Sequence, residues 1–104
     1  MGHEYGAQKL MEATLALAAG EGTIKPRLAA ACKVLVPVEA AEDIPGDLRN
    51  QFEHIRRKAT GVDPEVRSEG AIDASVRAMD EDEAVYVARQ IVDMSYLIRA
   101  YGDE

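Results

Sequence analysis

From Ile44 to Ala59 the apolar residues return at every third or fourth position: Ile44, Leu48, Phe52, Ile55 and Ala59. That interval matches the roughly 3.6-residue turn of an α-helix, whereas a half-buried strand requires alternation. Similar intervals recur along the chain, and no run alternates apolar with polar residues. The expected fold is therefore all-α: a single-domain bundle of about five helices over residues 1–104. A chain of 104 residues suffices for one core and would bury roughly two-thirds of the surface that it exposes when unfolded.

Glycines and prolines divide the chain into helices. The first is expected over Glu4 to Ala19, with Ala7, Leu10, Met11, Thr14, Leu17 and Ala18 on one side and Gly20 at its end. Thr23 is placed to cap a second helix that tolerates Pro26 in its first turn. Its stripe is Ile24, Leu28, Ala31 and Leu35, and Pro37 pushes Val36 out of helical geometry. The link from Pro37 to Asp43 carries Glu39, Glu42 and Asp43 and reads as a polar connector. Pro45 and Gly61 bound the next helix, and Val62, Asp63 and Pro64 break the chain after it. A shorter helix then gathers Ile72, Ser75, Val76 and Met79. The last helix has the clearest start: Asp80 and Glu83 form a D-x-x-E variant of the capping box, and the acids at 80–83 suit the positive end of the helix dipole.

Composition removes several function classes. There is no Trp, one Phe and four Tyr, which argues against a deep aromatic ligand pocket, and no cofactor is expected. Net charge is −7, which disfavours non-specific contact with nucleic acid or anionic membrane. No run approaches a membrane span and no signal peptide is evident, so the expected location is cytoplasmic. The one cysteine, Cys32, lies among apolar neighbours and reads as reduced and packed, not as a nucleophile. The two histidines, His3 and His54, share no metal-ligand spacing with other donors, and no metal site is expected. The acids at 80–83 lack the alternating oxygens and the glycine of an EF-hand, and Gly20-Glu21-Gly22 lacks the Lys-Ser/Thr of a phosphate loop.

Against this acidic background the helix of residues 44–60 carries Arg49, His54, Arg56, Arg57 and Lys58 between its apolar positions. Arg49, Arg56, Arg57 and Lys58 are therefore the nucleic-acid-binding candidates, since cations spaced along a helix can follow phosphates. No aromatic is interleaved for base stacking, and cations in a last helical turn also suit the dipole, so nucleic acid is not the favoured partner. Arg49-Asn50-Gln51-Phe52-Glu53-His54 resembles the R-N-x-x-x-H signature of the HEPN ribonucleases. The resemblance implies catalysis by a dimer of small helical domains, with Arg49 stabilising phosphoryl charge, His54 moving protons and Asn50 orienting. Five residues span about 140° of a helix, so Arg49 and His54 would need a second protomer to complete a site. The family also carries its motif in the last of four helices, whereas here some fifty residues follow.

The last helix, to Tyr101, has an apolar arc too wide for a one-sided surface helix: Val87, Ile91, Met94, Ile98 and Tyr101 on one stripe, and Val85, Val92 and Leu97 on a second. Val85, Tyr86, Val92, Tyr96 and Leu97 are the protein-interface candidates. The segments GEGTIKPRLAAACKVL, EDIPGDLRNQFEHIRRKAT and EGAIDASVRAMDEDEAVYVARQIVDM are similar to short helical bacterial accessory proteins of mobile-element or defence gene sets. That resemblance implies a compact cytoplasmic protein and transfers no activity or site residue. The favoured expectation is a non-enzymatic interaction or regulatory protein that binds itself or a larger protein through its last helix.

Overall fold

A computed structural model describes residues 3–63 and 70–101. Among these, the elements are α1 (Glu4–Ala19), α2 (Ile24–Val34), α3 (Ala40–Asp43), α4 (Arg49–Thr60), α5 (Ala71–Ala78) and α6 (Glu81–Leu97). Short 3-10 turns, Gly46–Leu48 and Ile98–Tyr101, lead into α4 and out of α6. The described residues contain no strand. The sixth helix beyond the expected five is α3, a single polar turn within the supposed connector. Pro64, expected to help break the chain, lies outside the described residues.

The apolar stripe from Ile44 to Ala59 becomes the central wall of the core. Ile44, Leu48, Phe52, Ile55 and Ala59 are all buried, and Val87, Ile91, Met94 and Ile98 of α6 bury against the same cluster as Leu10, Leu17, Leu28 and Leu35. Helix α1 packs on α2 and α6, while α4 packs on α5 and α6. The connector contributes as well: Val38 and Ile44 are fully buried on either side of α3.

Helix α1 is rotated from its expected setting. Gly6, Leu10, Ala13 and Leu17 face inward, and Met11 is 46% exposed. The physical cause is Gly6, where a Cβ would run into the backbone carbonyl of Asp43 at the end of α3. Only a residue without a side chain permits that approach, and it sets which side of α1 is inner. Between α1 and α2, Gly22 takes a φ of +89°, the left-handed geometry that makes the turn tight. Thr23 occupies the N-cap position of α2 but its side chain makes no capping bond. Its carbonyl instead accepts a hydrogen bond from Arg27 Nε at 3.2 Å. Asp80 behaves as the sequence indicates: Oδ1 accepts from the Glu83 N–H at 2.8 Å.

Candidate functional site

The basic helix α4 uses most of its charge within the protein. Arg49 donates from Nε to the carbonyls of Ala40 and Ile44, both at 2.9 Å, and from Nη2 to that of Ala41 at 2.8 Å. It therefore covers the open carbonyls of the one-turn helix α3, which is too short to satisfy them internally. Arg56 donates from Nη2 to the carbonyls of Leu35 (3.2 Å) and Val38 (2.7 Å), just past the end of α2, and its guanidinium lies 4.8 Å from the Phe52 ring centre. Lys58 forms an ion pair with Glu83 of α6 at 2.7 Å. That hydrogen bond and the carboxylate's charge raise the ammonium's pKa.

This use of cations extends beyond α4. From α2, Arg27 Nη1 reaches the Leu17 carbonyl near the end of α1 at 2.7 Å, and Lys25 Nζ reaches the Arg77 carbonyl in the last turn of α5 at 3.1 Å. Helix C-termini expose carbonyls and the negative end of the macrodipole, so a cation from another segment meets both requirements. The ends of α1, α2, α3 and α5 are each served in this way.

The residues of the R-N-x-x-x-H match are thus turned to different neighbours. Arg49 faces α3, while His54 faces α6, where its Nε2 lies 3.4 Å from the Tyr86 hydroxyl and the two rings meet edge-on with centres 6.0 Å apart. Asn50 is exposed. Of the nucleic-acid candidates, Arg49, Arg56 and Lys58 have protein partners, and Arg57 projects into solvent.

Beneath α4 a cavity of about 40 Å³ is lined by Cys32, Leu35, Phe52, Ile55 and Ile72. A drug-sized ligand needs roughly 300 Å³ or more, and this half-open recess falls well short of that. Cys32 is 4% exposed, and burial pushes its thiol up to about 12, which removes the thiolate needed for nucleophilic chemistry. Among the described residues no three His, Cys, Asp or Glu side chains form a group that could hold a metal ion.

The interface candidates fall into three places around α6. Val85 and Val92, with Ala88, form one wall of a shallow groove whose other wall is Leu17 of α1 and Ile24 of α2; Arg89 and Asp93 stand on its rim. Tyr96 and Leu97 line a second depression with Arg99 and Ala100 at the C-terminal end. Tyr86 lies on the opposite flank, beside His54. Val92 and Leu97 of the second stripe are 43% and 41% exposed and Val85 is half-buried, so the core does not absorb that stripe; Tyr86 and Tyr96 are 46% and 74% exposed. Helical periodicity pointed to α6 but not to Leu17 and Ile24, whose chain segments meet it only in three dimensions. No helix of the described residues is long and apolar enough to cross a membrane. Compared with protein-family models, with curated proteins and with solved structures, the chain matches none.

Proposed function

We propose that the protein is a non-enzymatic interaction module that binds a protein helix along the outer side of α6. The observation that carries this reading is the groove between α6 and the Leu17–Ile24 wall, apolar along its floor and rimmed by Arg89 and Asp93. An amphipathic helix is recognised by such a surface through apolar anchors one turn apart, with charges at the edge fixing its direction. Tyr96, Tyr86 and Arg89 add the residue types that most often anchor protein interfaces. The engagement of Arg49, Arg56 and Lys58 within the fold supports the same choice, because it leaves α4 little charge for phosphates. A reduced Cys32 within the core agrees with a cytoplasmic setting.

The test is site-specific photo-crosslinking in the native host. A photoreactive side chain in place of Val92 is expected to give a protein adduct, and the same group in place of Arg57 on α4 is expected to give none. Absence of any adduct at position 92 would remove the proposal.

A further inference from the structure

The proposed binding face of α6 has a symmetry of its own. Opposite the buried line of Val87, Ile91, Met94 and Ile98, the outward positions are Tyr86, Arg89, Asp93 and Tyr96, spaced three, four and three residues apart. This is the alternation of a helix-pairing seam. Read about Ile91, the face is a palindrome with one change of sign: Tyr mirrors Tyr, and Arg89 mirrors Asp93.

We propose that this face binds a second copy of the same chain, with the two α6 helices antiparallel about a two-fold axis beside Ile91. The inference rests on the reading of α6 as a protein-binding face and commits it to one partner. In an antiparallel pair, residues equidistant from the axis meet. Arg89 then meets Asp93 of the second copy, and Asp93 meets its Arg89, giving two cross-helix ion pairs from one surface patch. Tyr86 packs against Tyr96 of the second copy on either side. Val92, one residue from the axis, lies on the same side of the pair as its counterpart, which brings the two Leu17–Ile24 grooves side by side. Isologous contact of this kind is the commonest way for a chain to close an oligomer.

Two features favour a second copy over an unrelated helix. The side chains of Arg89 and Asp93 are exposed and make no hydrogen bond or ion pair among the described residues, where the other cations are mostly engaged. Their order along α6, cation before acid, is also the weaker one for pairing within a helix. A parallel pair would place Arg89 on Arg89 and Asp93 on Asp93. The charges therefore select the antiparallel arrangement and exclude its alternative.

The experiment is sedimentation equilibrium on the purified full chain from micromolar to millimolar concentration. The unaltered protein is expected to dimerise. Arg89→Glu and Asp93→Arg should each weaken the dimer at least tenfold, roughly the effect of replacing a close ion pair with like charges. An equimolar mixture of the two variants should form a dimer again, because each supplies the charge that the other has lost. Circular dichroism spectra, and unfolding midpoints taken at concentrations where the parent is monomeric, should match the parent, since neither side chain enters the core. A strictly monomeric parent, or variants that dimerise as the parent does, would overturn the inference. If such a monomer still gives an adduct with a different protein at position 92, the α6 interaction reading stands and only self-pairing falls. No adduct and no dimer together would remove both.

Discussion

Arg56 shows how much one side chain can do when its charge is directed inward. It lies over the Phe52 ring and holds the carbonyls of Leu35 and Val38, so its planar fork serves two acceptors while its stem covers apolar surface. Replacing it with Ala should lower unfolding free energy by about 2 kcal/mol in urea titrations, through two charge-assisted bonds and a ring contact. Lys should recover less than half of that, because an ammonium has no fork with which to hold both carbonyls. Cys32 gives the protein a dependence on alkaline pH. Its thiol, held near 12 in the fold against an ordinary value of 9, keeps its proton in the folded state while the unfolded chain loses it. Unfolding therefore becomes easier as pH rises from 9 towards 12, by an amount on the order of a few kcal/mol at the upper end. Below pH 9 the contribution is complete. Thermal melts at pH 8 and pH 11 should show that slope, and Cys32→Ala should flatten it. The burial of Cys32 was legible from its apolar neighbours. The inward role of Arg56 was not, since a helical wheel gives the direction of a side chain's base and not where a long chain's tip comes to rest.

At the scale of elements, the most legible feature was the start of α6. Asp80 and Glu83 are three apart in sequence, so the hydrogen bond between them is local and needs no knowledge of the fold. Asp80→Ala should cost about 1 kcal/mol in chemical denaturation, and Asp80→Asn should retain most of that, since Asn also accepts from a backbone N–H. Helix α3 is the opposite case. Ala40-Ala41-Glu42-Asp43 has no apolar period, and one turn of helix does not persist unaided. It is held by Arg49 from α4 and by the close approach of Gly6 from α1, two contacts that come from opposite directions in the sequence. The rotation of α1 has the same origin. Met11 reads as an inner residue until the missing side chain at Gly6 sets the helix against α3 and turns Met11 outward.

For the whole molecule, the apolar stripes of α4 and α6 were enough to indicate a shared helical core, and they form it. The candidate site was only half legible, since α6 announced an unpartnered stripe while its companions Leu17 and Ile24 come from segments more than sixty residues away. The charge pattern was the least legible property. A net charge of −7 suggests a surface on which the few cations are conspicuous, yet those cations bind helix ends belonging to other segments. Arg27 serves α1, Lys25 serves α5, Arg49 serves α3 and Arg56 serves the end of α2. This arrangement bears on the order of events during synthesis. Arg56 lies 21 residues beyond Leu35, so α1 and α2 emerge from the ribosome while the Leu35 carbonyl has only the local Val38 N–H and the Val38 carbonyl awaits its cation. The guanidinium reaches both carbonyls only once α4 has been translated, so this junction lacks its cation until then.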